Sequence, residues 1–253
     1  MSKRNTQLRR HAISNLVSEQ GEVSVDELSQ RFETSEVTIR KDLASLEKNG
    51  QLLRRYGGAI AIPTEVIHEE LQPNVSTRKL NLAKTAASLI RDHNRIVIDS
   101  GSTTAALIQQ LNDKRGLVVM TNSLHVANAL NELESEPTLL MTGGTWDTHS
   151  ESFQGKVAES VLRAYDFDQL FIGADGVDLE RGTTTFNELV GLSKVMAEVS
   201  REVIVMIESE KIGRKIPNLE LAWEQIDVLV TDAELSADHK SKIEQCGVKV
   251  ICA

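Results

Sequence analysis

The sequence predicts an α/β chain in two parts: a small helical module with a hairpin, then a larger domain on a mostly parallel sheet. Three observations predict it. The first 61 residues read as helix, helix, tight turn, helix and a glycine-tipped hairpin. From Leu80 onward, apolar runs of strand length alternate with amphipathic helical stretches. Several of those runs end in small or polar residues: D-S-G-S-T-T, T-N-S, T-G-G-T and G-A-D-G.

In the first part, Ile13, Leu16 and Val17 recur at helical spacing between Gln7 and Gln20, and Gly21 stops that helix. Val25 to Phe32 reads as a short second helix, with Asp26 and Glu27 favouring its amino end. Glu33–Thr34–Ser35 forms the turn, and Ser35 is the expected N-cap of a third helix. That helix, Ser35 to Gly50, reads as two-sided. Val37, Ile39, Leu43 and Leu46 are taken as its apolar side, and Glu36, Thr38, Arg40, Lys41 and Ser45 as its polar side. Asn49–Gly50 is its stop signal. The run Q-L-L-R-R-Y-G-G-A-I-A-I then reads as two short strands around Gly57–Gly58.

Pro63 and Pro73 flank a polar stretch, so the expected boundaries are a module over 1–61, a linker over 62–78 and an α/β domain over 79–253. The strand candidates of that domain are R-I-V-I-D-S, L-V-V-M-T-N, T-L-L-M-T-G-G, Q-L-F-I-G-A-D, E-V-I-V-M-I-E, V-L-V-T-D and V-K-V-I-C.

Composition narrows the function classes. Hydrophobic residues at 40% suffice for a sizeable core, and aromatics at 4% mean that aliphatic side chains build it. The amino terminus has charge but no apolar run behind it, and no segment is apolar for the length of a membrane span. A cytoplasmic protein without a membrane partner is expected. The two cysteines, Cys246 and Cys252, suit a reducing compartment and read as buried small hydrophobes. No two of the six histidines share metal-ligand spacing, G-x-S-x-G is absent, and no residue pattern asks for a cofactor. Net charge is −9, yet residues 1–61 carry ten basic against eight acidic side chains, whereas residues 62–253 carry 18 against 29. A polyanion is therefore expected to meet the amino-terminal part.

The order of elements over 1–61 is that of a winged helix-turn-helix, whose third helix enters the DNA major groove. Ser35, Glu36, Thr38, Arg40 and Lys41 are then the groove-facing candidates. Arg40 and Lys41 suit phosphate or guanine, Thr38 a thymine methyl or a phosphate, and Glu36 cytosine or the helix cap. In the wing, Arg54, Arg55 and Tyr56 are expected along the backbone or minor groove. The partner is double-stranded operator DNA, and paired half-sites imply a homo-oligomer.

In open α/β sheets ligands bind beyond the carboxyl ends of strands. The loop Asp99, Ser100, Gly101, Ser102, Thr103, Thr104 precedes a helix expected near Ala105 and reads as a phosphate cradle, or more simply as N-capping. No G-K-[ST] follows, so it is not a Walker loop. Asn122, Gly143, Gly144, Asp175, Asn187, Glu188 and Lys211 gather at other strand ends. Lys211 suits a phosphate or Asp175. Such groups fit a sugar phosphate, with a dianion at one end and hydroxyls at the other.

Residues 7–61 resemble the amino-terminal domain of DeoR-type bacterial transcriptional regulators, through R-R-H-A-I, G-E-V-S-V-D-E-L-S-Q-R-F and S-E-V-T-I-R-K-D-L-A-S-L-E-K-N-G-Q-L-L-R-R-Y-G-G-A. D-S-G-S-T-T, M-T-N-S, T-G-G and G-A-D-G-V-D-L-E-R-G-T-T-T-F-N-E extend the resemblance over the chain. It implies an effector domain similar in fold to sugar-phosphate isomerases and deaminases, and a repressor released by a sugar phosphate. Regulators of amino-sugar metabolism are the nearest in character, so glucosamine 6-phosphate is the first effector expected. The deaminases carry a ring-opening His in a D-G-H-x-x-F-N-E segment. Here Val177 stands in its place, so an enzyme is not expected. An isomerase- or deaminase-like enzyme with an accessory DNA-binding domain is the alternative.

Overall fold

The computed structural model describes residues 3–48, 52–55, 57–60, 76–148, 150–187, 190–214 and 216–253. The chain divides into two compact units, Met1–Pro73 and Asn74–Ala253.

The first unit has helix α1 (Lys3–Gln20), strand β1 (Glu22–Ser24), helix α2 (Val25–Arg31), helix α3 (Glu36–Lys48) and strands β2 (Leu53–Arg55) and β3 (Gly58–Ile60). Helix α1 starts four residues earlier than periodicity suggested, since nothing between Lys3 and Gln7 breaks a helix. Ser24 caps α2 by accepting from the Glu27 amide at 3.1 Å, and Phe32 is its C-cap rather than its last residue. The strand Glu22–Ser24 was missed. Strand β3 lies between it and β2, so the wing is a three-stranded antiparallel sheet. Gly58 faces Ser24 so closely that a Cβ would sit 2.5 Å from the Val23 carbonyl oxygen. Ile13, Leu16, Leu28, Ile39, Leu43, Leu46 and Leu52 fill the core.

Val37 does not join them; it is 59% exposed. At 3.6 residues per turn, Val37 lies roughly opposite the direction shared by Ile39, Leu43 and Leu46. The stop Asn49–Gly50 lies outside the described residues.

The second unit opens on helix α4 (Thr77–Ala87), capped by Ser76. Thr77 and Arg78 are therefore its first turn, not the end of a linker. Of the rest of the expected linker, 62–75 falls outside the described residues and Ser76 is described. Seven strands form one parallel sheet: β4 (Arg95–Ile98), β5 (Val118–Thr121), β6 (Thr138–Met141), β9 (Phe167–Ile172), β12 (Ser200–Met206), β14 (Val228–Thr231) and β15 (Lys249–Cys252). They are the seven apolar runs of the sequence. Their order is β15-β14-β12-β9-β4-β5-β6. Both faces are covered, which is why the strands read as nearly continuous apolar runs. Ile96, Ile98, Phe171, Ile204 and Met206 pack with Leu82, Ala83 and Ala86 of α4. Val97, Leu170, Ile172, Val203 and Val205 form the opposite face with Leu162, Leu192, Met196 and Trp223.

Two additions were not legible. A hairpin of β7 (Thr145–Asp147) and β8 (Ser152–Gln154) follows β6. Strands β10 (Gly176–Asp178), β11 (Gly182–Thr185) and β13 (Asn218–Ala222) form a small antiparallel sheet. The remaining helices are α5 (Ser102–Ala105), α6 (Leu124–Asn131), α7 (Lys156–Leu162), α8 (Gly191–Glu198) and α9 (Ala237–Gln245). Helix α5 thus starts at Ser102, inside the loop expected to precede it. Cys246 and Cys252 are exposed, not buried. Cys246 caps the surface helix α9 and Cys252 ends the edge strand β15. No described helix is long and apolar enough to cross a membrane.

Candidate functional site

On the first unit, the predicted DNA-facing residues lie along the outer side of α3 and on the wing. Ser35 Oγ accepts from the Thr38 amide at 3.3 Å and shares a hydrogen bond with the Thr38 hydroxyl at 2.9 Å, so these two fix the amino end of α3. Arg40 and Glu36 form an exposed i,i+4 ion pair at 2.7 Å, and Lys41 is exposed one position on. Arg55 meets Glu22 at 2.7 Å, and Arg54 lies 3.8 Å from Glu47. Tyr56 lies outside the described residues. Exposed pairs of this kind contribute little to stability, so the cations can exchange carboxylate for phosphate at small cost.

The residues that hold this face were not singled out. Asp42, 2% exposed, accepts from Arg9 Nε at 2.6 Å and from Arg10 Nε at 2.8 Å. Arg10 also reaches Ser45 Oγ at 2.7 Å. The two arginines of R-R-H-A-I thus clamp the aspartate of T-I-R-K-D-L, pinning α3 to α1.

In the second unit, the sheet order supplies the site. From β4 the chain proceeds to β5 and β6 on one side, and later from β9 to β12, β14 and β15 on the other. The switch point lies between β4 and β9, and open α/β sheets bind ligands in the crevice beyond the carboxyl ends at such a point. Asp99 follows β4 and Asp175 follows β9, so both rim it.

The loop after β4 is tightly wired. Asp99 Oδ1 accepts from Asn122 Nδ2 at 2.9 Å, and Asn122 Oδ1 accepts from the Ser100 amide at 3.1 Å. Burial raises the Asp99 carboxyl to about 6, against lowering hydrogen bonds from Ser100 and Asn122. Gly101 has φ +136°, outside the reach of most side chains, and starts α5. Thr104 does not present its hydroxyl to a ligand, because it donates to the carbonyls of Asp99 and Gly101 at 2.8 and 2.9 Å. Ser102 and Thr103 remain as hydroxyl donors. Lys79, a buried lysine on α4, donates to Ser102 Oγ at 2.8 Å. No motif marked Lys79, and the helix that carries it was not read from the sequence.

Asp175 Oδ2 accepts from the Thr185 hydroxyl at 2.7 Å and the Phe186 amide at 3.0 Å. The Asn187 amide donates to Thr185 Oγ1 at 3.1 Å, so D-G and F-N are joined across the β10–β11 hairpin. Glu188 lies outside the described residues. Lys211 ends a 3₁₀ turn, Ser209–Lys211, that stands beside the Asp175 segment because Ile212 bridges to Val177. Gly143 and Gly144 follow the edge strand β6, two strands from β4, which places them roughly 10 Å from the Asp99 loop. A Cβ on Gly144 would lie 2.6 Å from the Gln154 carbonyl oxygen, so that glycine serves the packing of the β7–β8 hairpin.

A second residue escaped the sequence reading. Glu220, inside the apolar run N-L-E-L-A, accepts from Ser193 Oγ at 2.8 Å. Burial first, then Asp99, raise its carboxyl to about 8, and Asp175 adds to the rise. Its carboxyl thus feels the charge of both rim aspartates. Among the described residues, no group of His, Cys, Asp and Glu is arranged to hold a metal.

The chain matches the DeoR-like helix-turn-helix domain over residues 9–65 and the DeoR C-terminal sensor domain over residues 74–233. The chain belongs to the DeoR family. This DeoR-family chain is 38% identical to a putative aga operon transcriptional repressor of Escherichia coli O157:H7, over 97% of its length and 93% of the relative's. It is 32% identical to the regulator GlpR of Haloferax volcanii, over 96% of each chain. It is a DNA-binding transcriptional regulator, with the helix-turn-helix in the first unit and the sensor domain in the second. A ribose 5-phosphate isomerase from Methanocaldococcus jannaschii is similar over 53% of each chain at 21% identity, with a TM-score of 0.39. The parallel sheet itself, not this distant likeness, defines the fold class.

Proposed function

We propose that this DeoR-family regulator is a repressor of sugar-metabolism genes whose grip on operator DNA is released by a sugar phosphate. Residues 1–61 meet the DNA. Ser35, Glu36, Thr38, Arg40 and Lys41 face the major groove, and Arg54, Arg55 and Tyr56 lie along the backbone. Residues 76–253 sense the effector, and 62–75 link the two. Self-association runs through the sensor domain, in line with paired half-sites.

The observation that carries the effector assignment is the pairing of Lys79 with Ser102 beside the Asp99–Asn122 hydrogen bond, at the sheet's switch point. A buried ammonium beside a hydroxyl-bearing loop suits a phosphate, and the carboxyl and amide opposite suit sugar hydroxyls. Asp175, Asn187, Glu188 and Lys211 complete the crevice in this reading. Gly143 and Gly144 contribute to its outer wall only. Switching is linkage: the effector binds one conformation or oligomer better and depletes the form that fits DNA. Glucosamine 6-phosphate is the first candidate.

A thermal-shift panel of sugar phosphates, with inorganic phosphate as the reference, tests this. A shift by one sugar phosphate beyond that of phosphate supports the site; no shift by any of them sinks it.

One observation favours an enzyme as the second reading: Asp99 and Glu220 titrate at about 6 and about 8, the range of proton-transfer groups. Against it, Val177 is buried and has no proton to give. Turnover of a sugar phosphate followed by NMR separates the two.

A further inference from the structure

The small antiparallel sheet carries a bulge at the site. Strand β11 pairs with β13 as Thr183 with Leu221 and Thr184 with Leu219, and the register shifts between them. Glu220 is the residue left unopposed. Bulges of this kind re-aim a side chain, often beside functional sites. Here the bulged residue is Glu220, whose carboxyl feels the charges of Asp99 and Asp175.

Glu220 is only half satisfied there. Its Oε1 is held by Ser193, and the Thr183 hydroxyl is near enough to favour the ionised carboxyl, but its Oε2, in a side chain 8% exposed, has no well-formed hydrogen bond. Buried polar atoms are rarely left so, and the exceptions ask for an explanation. A buried carboxyl oxygen without a well-formed bond, within range of two aspartate charges, asks for a donor that brings positive charge.

We infer that Glu220 is the specificity-determining residue of the effector crevice, selecting a protonated amine on a phosphorylated sugar. This rests on the reading of the crevice as a sugar-phosphate site. The phosphate lies on the Ser102–Lys79 side and the ammonium among Glu220, Asp99 and Asp175. An ammonium offers three donors and a full charge; a sugar hydroxyl offers one donor and no charge. The raised Glu220 carboxyl agrees: with no cation beside it, burial and its aspartate neighbours keep it protonated near neutral pH. A bound ammonium reverses that balance and lets the carboxyl ionise.

The test compares matched ligands on the full chain by calorimetry. The pairs are glucosamine 6-phosphate with glucose 6-phosphate, and galactosamine 6-phosphate with galactose 6-phosphate. N-acetylglucosamine 6-phosphate serves as the uncharged control. The expected result is that one amine binds about tenfold or more tighter than its hydroxyl counterpart and its acetylated form. Glu220→Gln keeps the shape and the Ser193 contact, and should bring that ratio near one while the hydroxyl sugar keeps its affinity. Equal affinities within both pairs, or a preference for the acetylated sugar, overturn the assignment of Glu220 and leave the sugar-phosphate site standing. Preference retained in Glu220→Gln overturns it as well. Should that variant not fold, the wild-type ratios alone decide. Binding of none of the five compounds overturns the sugar-phosphate reading, and this inference with it.

Discussion

Lys79 Nζ lies 2.8 Å from Ser102 Oγ, joining the first helix of the sensor domain to the loop after its central strand. Lys79 is 7% exposed. A lysine so buried needs acceptors, and a phosphate oxygen is a better one than a serine hydroxyl. Lys79→Met keeps the apolar stem and removes the charge. It should weaken sugar-phosphate binding by roughly 10- to 100-fold and leave operator affinity without effector unchanged. Calorimetry and an operator titration measure the two; unchanged effector affinity would remove Lys79 from the site.

Arg40 is exposed and, among the described residues, pairs with Glu36 on its own helix. Arg40→Ala should change stability by no more than about 0.5 kcal/mol and abolish operator-specific binding. The remaining non-specific binding should show a smaller salt slope, since each lost phosphate contact lowers it by about one. An operator titration at several salt concentrations reads both effects. Retained operator affinity would show that α3 is not the reading helix.

Asp42 is the counterpart case, buried under Arg9 and Arg10. Asp42→Asn leaves two guanidinium groups without their anion and should cost the first unit about 3 kcal/mol. Hydrogen exchange on the full chain should show faster exchange in α1 and α3, with the sensor domain unaffected. Unchanged protection in those helices would mean the clamp is not what joins them.

Glu220 and Asp99 give a pH signature. Both are raised on folding, from 4.5 to about 8 and from 3.8 to about 6, with burial the first cause in each. The folded chain therefore holds these protons more tightly than the unfolded one. Their favourable contribution is full below about pH 4 and is lost as pH rises through about 6 and then about 8. Denaturant unfolding of the ligand-free sensor domain should show stability falling between pH 5 and 8. Glu220→Gln should flatten the upper part of that fall. A stability rising with pH across this window would contradict the assignment.

Much of this was legible. The seven parallel strands stood out because burial on both faces makes each an apolar run, from R-I-V-I to V-K-V-I. The loop Asp99–Thr104 and Asn122 were visible as polar strand ends. What was not legible depends on pairing across the chain. Lys79 and Glu220 each sit in apolar surroundings, 23 and 27 residues from their partners Ser102 and Ser193. Glu220 sits at a bulge that no local pattern encodes. Asp42 looked like one more helix charge until Arg9 and Arg10 came over it. Val37 was placed on the apolar side by composition, where 3.6-residue arithmetic would have put it outside. Thr104 and Gly144 were read as ligand contacts, yet one holds the loop backbone and the other lets a hairpin approach.

The central claim is that one chain couples operator binding to a sugar phosphate. Fluorescence anisotropy of a labelled fragment from upstream of its own gene tests it most directly. The protein is titrated with and without glucosamine 6-phosphate and the other sugar phosphates, at two salt concentrations. The account predicts tight, salt-sensitive binding that one compound weakens. Binding no tighter than to random DNA, or operator binding that every sugar phosphate leaves unchanged, would contradict it.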